Sequence, residues 1–166
     1  MLDVYNTIES ISEGLFKDKG SKFIAYTFPS DSTERFQISL EKIKKEHIKA
    51  RHFCYAYRIG IDGTLYRAND DGEPSGTAGK PILGQIDKYE LTNIGIVVVR
   101  YFGGVKLGTS GLINAYRLAA KESIENSTII EKDILRNYHI QFDYKYMNDL
   151  LTTIKKLEAT IFEKRF

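Results

Sequence analysis

Two glycine-rich segments joined by one apolar run decide how this 166-residue chain folds. The first is Asn69-Asp70-Asp71-Gly72-Glu73-Pro74-Ser75-Gly76-Thr77-Ala78-Gly79-Lys80-Pro81, and the second is Val99-Arg100-Tyr101-Phe102-Gly103-Gly104-Val105-Lys106-Leu107-Gly108-Thr109-Ser110-Gly111. Glycine at this density is typical of loops whose backbone takes positive φ or approaches another backbone closely. Each segment leads into a helical pattern and presents free N–H groups at a helix start. We predict that both loops meet at one end of a sheet, with these amides pointing outward.

The run between the loops, residues 94–99, reads Ile-Gly-Ile-Val-Val-Val and predicts a central strand covered on both faces. Further strand patterns occupy residues 23–28, 53–61 and 64–68, and residues 4–16 predict one short strand and the start of a hairpin. The polar turn at residues 17–21 gives that hairpin a basic tip. Asp62-Gly63 is a second hairpin signal.

Helical spacing appears three times in the first 130 residues. Residues 33–49 follow a Ser/Asp start signal and place Phe36, Leu40 and Ile43 on one face. Thr77 is a candidate cap for a helix that runs to about residue 89. The third helix starts near residues 108–111 and turns five side chains inward, namely Leu112, Tyr116, Ala119, Ala120 and Ile124.

The last forty residues predict a separate small unit. Residues 127–133 look like a junction, and residues 134–144, 147–159 and 160–166 read as strand, helix and strand. A β-α-β unit of this size is short for an independent core. We expect it to lean on the main domain, to pair with a partner, or to belong to something longer.

Composition limits the classes of function. A net charge of +2 excludes a polycation, so any nucleic-acid binding must come from a local patch. No run approaches the length of a membrane span, and the N-terminus lacks the pattern of a secretory signal. The single cysteine, Cys54, cannot form an internal disulfide. We therefore expect a cytoplasmic protein.

The first glycine-rich segment partly resembles a phosphate-binding loop. Pro74 and Pro81 replace residues that the nucleotide-binding pattern requires, so nucleotide hydrolysis is not expected. Ser75, Thr77, Lys80 and the amides of residues 76–79 remain candidates for holding one phosphate of a nucleic-acid backbone. The alternative is an ordinary helix cap beside a surface lysine.

The acids of the same segment raise two catalytic hypotheses. Asp70, Asp71 and Glu73 with His52 offer metal ligands, although no established metal-binding spacing is present. The alternative is a structural turn, with one acid paired to Arg58, Arg67 or Arg100. A Cys54/His52 pair on one side of a strand is a weaker nucleophile candidate, because Cys54 reads as a small buried residue.

A basic docking surface is the remaining hypothesis. Tyr101 and Phe102 lie among basic loop residues and suit stacking on bases, although at least one of them is expected to cap the core. The basic residues in or beside the loops are Lys17, Lys19, Lys22, Lys49, Arg51, Lys80, Arg100 and Lys106.

Three stretches, residues 50–58, 69–81 and 97–112, make the chain resemble the YigZ/Impact family over residues 10–130. The resemblance implies an α+β protein. Its domain at residues 1–130 is a two-layer α/β fold like domain IV of elongation factor G and certain ribosomal proteins. Residues 134–166 would be part of a ferredoxin-like domain, whose full order is β-α-β-β-α-β.

The resemblance also implies a modest function. Eukaryotic members regulate translation under stress through protein contacts, and the bacterial fold suggests nucleic-acid or ribosome binding; some relatives carry a proline-dipeptidase label. We expect a non-enzymatic module that docks on RNA, the ribosome or a translation factor, without catalytic residues, metal or cofactor. The alternatives are a metal-assisted hydrolase and a pure protein-interaction module.

The expected site has two sets of residues. Those proposed to contact phosphate or nucleic acid are Arg51, His52, Ser75, Thr77, Lys80, Arg100 and Lys106. Those proposed to shape the loops are Asp70, Asp71, Glu73, Gly76, Gly79, Gly103 and Gly104.

Overall fold

The computed structural model describes residues 4–165, which divide at residue 134 into two compact units, residues 4–134 and 135–165. The described part of the first unit contains, in chain order, β1 (Val4–Ile8), β2 (Ser12–Asp18), β3 (Ser21–Pro29), α1 (Thr33–Glu46), β4 (His52–Ile59), β5 (Leu65–Asn69), α2 (Gly79–Lys88), β6 (Ile94–Tyr101), α3 (Gly108–Glu125) and β7 (Ile129–Asp133). This mixture of helices and antiparallel sheets confirms the α+β class.

The main sheet has the strand order β2-β3-β6-β4-β5, and every neighbouring pair is antiparallel. Strand β6 is central, and all its residues except the last are buried. Its β-branched residues suit a pleated surface that is packed from both sides. The sequence prediction for this strand is confirmed.

Helices cover both faces of the sheet. On one face α2 and α3 pack on Ala25, Cys54 and Val98, with Tyr116 of α3 fully buried among them. On the other face the apolar side of α1 packs on Val97 and Val99 through Phe36, Leu40 and Ile43. The unit therefore has three layers and not the expected two, because α1 covers the second face.

The hairpin of β2 and β3 has the predicted tip, since Lys19 and Gly20 both take positive φ between the two strands. Residues 4–16 contain the predicted short strand, β1, and the start of the hairpin, β2, whereas the prediction of a junction at residues 127–133 was wrong because it contains β7. Strand β7 pairs with β1 from Val4↔Asp133 to Ile8↔Ile129.

In the second unit the predicted helix is present as α4 (Met147–Lys156), preceded by the 3-10 turn Tyr144–Tyr146. The flanking strand predictions fail, since residues 135–143 and 159–165 form no strand in the described part of the unit. A strand needs a hydrogen-bonded neighbour, and neither segment has one there. The ferredoxin-like assignment and the domain boundaries stay predictions.

Between residues 4 and 165, no helix combines the length and apolar character that crossing a bilayer requires.

Candidate functional site

The sheet topology brings the two glycine-rich loops to one end of the first unit. The β6 residue Arg100 pairs with Phe23 near the start of β3 and with His52 at the start of β4. Strand β5 ends at this level, where Asn69 pairs with Tyr55. The acidic loop (residues 70–78) therefore leaves β5, and the double-glycine loop (residues 102–107) leaves β6, at the same end of the sheet.

A buried ion pair joins the acidic loop to the end of β6, from which the double-glycine loop leaves. Arg100 Nη1 donates to Glu73 Oε1 at 2.5 Å, and only 7% and 4% of the two side chains are exposed. Tyr116 of α3 donates its hydroxyl hydrogen to the same oxygen at 2.8 Å. Both loops therefore lie at one end of the sheet, as predicted, and Arg100 pairs with an acid of the acidic loop.

Asp70 occupies the start of α2. Its carboxylate accepts hydrogen bonds from the backbone N–H groups of Gly76, Ala78 and Gly79 at 2.8–3.0 Å. Burial would raise the pKa of Asp70, but the three amide donors outweigh burial and hold the pKa below its usual value. A carboxylate of the chain itself therefore fills the position that a bound phosphate was expected to occupy.

The hydrogen bonds of Thr77 are also internal. The Thr77 N–H and hydroxyl both donate to the Pro74 carbonyl, at 3.1 and 2.6 Å, and the residue is buried. Helix α2 starts at Gly79 without a side-chain cap from its N-cap residue Ala78. The prediction of outward-facing amides at residues 76–79 was therefore wrong, as was the cap assigned to Thr77. The alternative interpretation of these acids, a structural turn, fits the acidic loop.

Asp71 fastens the loop to the start of β4. One carboxylate oxygen accepts the Phe53 N–H at 2.6 Å, and the Asp71 carbonyl lies 2.8 Å from His52 Nδ1. Gly79 permits close packing nearby, because a Cβ there would lie 2.4 Å from the backbone nitrogen of Asn69. The acidic loop is thus held by backbone contacts along its length.

These contacts give each acid of the catalytic hypotheses, Asp70, Asp71 and Glu73, an intramolecular partner. Residues 4–165 contain no group of three His, Cys, Asp or Glu arranged to hold a metal ion. Cys54 and His52 share a side of β4, as predicted. Burial, however, raises the pKa of the Cys54 thiol well above its usual value, which disfavours the thiolate that nucleophilic chemistry requires.

The double-glycine loop lies on the tip of the β2–β3 hairpin. The Gly103 N–H donates to Ser21 Oγ at 3.1 Å, and a Cβ on Gly103 would lie 1.9 Å from the carbonyl carbon of Gly20. Only glycine fits that approach. The contact places Lys17, Lys19 and Lys22 of the hairpin beside this loop, and all three are exposed.

Helix α3 begins, like α2, with no acidic residue in its first turn, and its N-cap residue, Leu107, gives no side-chain hydrogen bond. Gly104 and Gly108 take positive φ, with no heavy atom within 4 Å of where a Cβ would be. The exposed residues here include Phe102, Val105 and Lys106. Of the two loops, this one presents the more open surface.

The predicted contact residues divide by exposure. Arg51, Ser75, Lys80 and Lys106 are exposed and His52 is half-buried, whereas Thr77 and Arg100 are buried. A direct phosphate contact by Thr77 or Arg100 does not fit this placement. Gly76 and Gly104 take positive φ in their loops, and a Cβ on Gly79 or Gly103 would overlap neighbouring backbone.

Sequence reasoning missed two parts of this site. Asp70 caps α2 through amides six to nine residues ahead, outside the three-residue spacing by which caps are recognised. Tyr116 reads as a core residue on helical spacing, which gives no sign that its hydroxyl binds Glu73. Its hydroxyl also lies 3.2 Å from the Cys54 sulfur.

Comparison with known proteins identifies the family. The model of the Impact N-terminal domain matches residues 19–124. IMPACT family member YvyE of Bacillus subtilis is 36% identical over 163 residues, which cover 98% of this chain and 75% of YvyE. IMPACT family member YigZ of Escherichia coli is 35% identical over 145 residues, which cover 86% of this chain and 71% of YigZ.

A solved structure supports the same assignment. The crystal structure of a hypothetical protein with 30% sequence identity superposes with a TM-score of 0.83, covering 100% of this chain and 82% of that one. The residues matched by the family model include the β2–β3 hairpin tip, the acidic loop and the double-glycine loop. The chain therefore belongs to the Impact family.

Proposed function

We propose that this chain is a binding module that acts in the regulation of translation by docking on RNA, with ribosomal RNA as the expected target. The carrying observation is the open double-glycine loop, which lies beside exposed lysines from three other elements. Family membership supports the role in translation, since the family resemblance implies that role for its eukaryotic members.

The charge around this loop favours a polyanion. Lys17, Lys19 and Lys22 come from the β2–β3 hairpin, Lys106 precedes α3, and Lys80 lies in the first turn of α2. Within residues 4–165, no salt bridge neutralises any of these five lysines. In the neighbouring loop Glu73 is paired with Arg100, and the carboxylates of Asp70 and Asp71 accept backbone amides. We therefore propose that these lysines form a local basic surface on a chain whose net charge is only +2.

Fluorescence anisotropy with labelled oligouridine and a labelled ribosomal RNA hairpin tests the proposal. We expect salt-sensitive binding by the wild type. Lys80→Glu and Lys106→Glu should each weaken it and lower the slope of log affinity against log salt by about 0.7–0.9 for each lost phosphate contact. Lys88→Glu, at the opposite end of α2 from Lys80, is the matched control and should leave the affinity unchanged.

Two results would overturn the proposal. One is a wild-type protein without salt-sensitive affinity for either RNA. The other is equal weakening by Lys88→Glu and Lys106→Glu, since binding would then follow total charge and not this surface. Protein capture from lysate that persists after nuclease treatment, combined with no RNA affinity, would favour the protein-interaction alternative.

A further inference from the structure

Phe102 is a large aromatic side chain left outside the core at the centre of the proposed docking surface. It is 60% exposed, although it directly follows the buried Arg100 and the half-buried Tyr101. Tyr101 is the residue that caps the core, because it packs beside α1 and its hydroxyl lies 2.8 Å from His47 Nδ1. The packing of the core therefore does not account for the position of Phe102.

The ring of Phe102 has the guanidinium of Arg100 beside it. The guanidinium carbon of Arg100 lies 5.6 Å from the Phe102 ring centroid and 5.5 Å from that of Phe23. The ion pair with Glu73 fixes this guanidinium. Phe102 thus rests on a buried cation whose own position is held, which reduces the conformational entropy that the ring loses when it binds a ligand.

The surroundings of the ring are open and basic. Gly104 follows closely, and no heavy atom lies within 4 Å of where its Cβ would be. Lys22 pairs with Tyr101 across the β3–β6 ladder, and Lys106 lies at the end of the same loop. A flat apolar face among ammonium groups matches a base flanked by phosphates.

We infer that Phe102 stacks on an unpaired base, so that the RNA bound by this surface is single-stranded or contains an unpaired loop. This inference rests on the proposed function and specifies its ligand. In an RNA duplex each base face is covered by its neighbours, so an aromatic platform gains contact only where a base is splayed out. Lysine contacts alone would not make that distinction, because phosphates are present in both forms.

Tryptophan fluorescence gives a direct test, because the chain contains no tryptophan. Phe102→Trp places a single indole at the platform. Tyr66→Trp is the matched control, since Tyr66 is 57% exposed and has the Arg58 guanidinium 5.4 Å from its ring centroid, on β5 at the opposite edge of the sheet from the β2–β3 hairpin. Oligouridine should quench the indole at position 102 and leave the one at position 66 unchanged.

Affinity measurements complete the test. Phe102→Ala should weaken binding of oligouridine by about 10-fold, as expected for one lost base stack, and should leave binding of a blunt RNA duplex unchanged. Its thermal unfolding should match that of the wild type, because the ring lies outside the core. RNA binding without quenching at position 102, or equal loss for both RNAs, would overturn the stacking inference and leave the proposed function standing. No affinity for any RNA would overturn both.

Discussion

The Glu73 carboxylate and the Arg100 guanidinium form a buried ion pair that fixes the acidic loop to the central strand, β6, at the loop end of the sheet. Only 4% and 7% of the two side chains are exposed, so neither charge is stabilised by bulk water. Tyr116 adds a hydrogen bond to the carboxylate, and Phe23 and Phe102 flank the guanidinium. Each charge therefore depends on the other for its stabilisation.

Breaking this pair should be costly. We expect Glu73→Leu and Arg100→Met each to lower the free energy of unfolding by about 3–5 kcal/mol, because each leaves a buried charge without its partner. The double variant should lose less than the sum of the two, since it removes both charges. Urea denaturation of the four proteins measures the coupling.

The pair of Asp31 and Arg35 is the control for that cycle. Its side chains are 58% and 70% exposed, so Arg35→Met should cost under about 1 kcal/mol. Additive losses for Glu73→Leu and Arg100→Met would contradict the view that the two charges depend on each other.

Asp70 should make stability sensitive to acid. Replacing it with alanine removes the acceptor for three amides of the acidic loop, and we expect a loss of about 1–2 kcal/mol near neutral pH. The folded-state pKa of Asp70 lies below that of the unfolded chain, which is about 3.9. Its contribution is therefore fully present above that value and is lost as the pH falls through the folded-state pKa.

Thermal unfolding of wild type and Asp70→Ala across the acidic range tests this sign. The gap between the two melting temperatures should be constant near neutral pH and should narrow below about pH 4. Every other carboxylate titrates in both proteins, so the difference isolates Asp70. A gap that widens on acidification would show that the interpretation has the wrong sign.

The sequence predicted those helices and strands that are specified by a periodic spacing of apolar residues or by contacts between residues near in sequence. The β-branched run of β6 and the apolar spacing of Phe36, Leu40 and Ile43 each specify an element without knowledge of its partner. Strand β7 was missed because its partner, β1, lies more than a hundred residues away and the pattern of 129–133 is short. Residues 135–143 show the converse, since strand-like residues form no strand without a neighbour in the described chain.

The position of the two loops was predictable from the sequence, but the hydrogen bonds and ion pairs within them were not. Glycines and acids mark both loops, which is why their meeting at one sheet edge was expected. Which acid binds which donor depends on the tertiary fold, because Glu73 reaches Arg100 across 27 residues and Tyr116 across 43. The same dependence turned the expected phosphate-binding amides inward to Asp70.

Tyr26 lies on the face of the sheet that α1 covers, and it should make the stability of the protein sensitive to alkali. Its hydroxyl lies 2.7 Å from His47 Nε2, and burial, together with the charges of Glu13 and Glu46 and the nearby Tyr101, raises the pKa of Tyr26 to about 12. A raised folded-state pKa means that the stabilisation is fully present below the unfolded value of about 10 and is lost as the pH rises through the folded value.

The measurement compares wild type with Tyr26→Phe in urea at several alkaline pH values. The phenylalanine variant should be the less stable near neutral pH, because it loses the hydrogen bond to His47. The difference should shrink between about pH 10 and pH 12. A difference that stays constant over that interval would mean that Tyr26 ionises as it does in the unfolded chain.

Gly103 provides the sharpest steric prediction. An added Cβ would lie 1.9 Å from the carbonyl carbon of Gly20 and 2.2 Å from the Ser21 nitrogen, so the double-glycine loop would have to leave the hairpin tip. We expect Gly103→Ala to lower the free energy of unfolding by about 2 kcal/mol or more, within the range for strained or overpacked sites. Nearby backbone, unlike a flexible side chain, cannot move aside cheaply.

Gly84 in α2 is the matched control. No heavy atom lies within 4 Å of where its Cβ would be, and it is an exposed helical residue. Gly84→Ala should therefore raise the free energy of unfolding by about 0.5–1 kcal/mol, because alanine restricts the unfolded chain and favours helix. Opposite signs at the two glycines, read from urea denaturation, are the expected result. A stability loss at Gly103 no larger than a few tenths of a kcal/mol would mean that the loop does not rest on the hairpin as described.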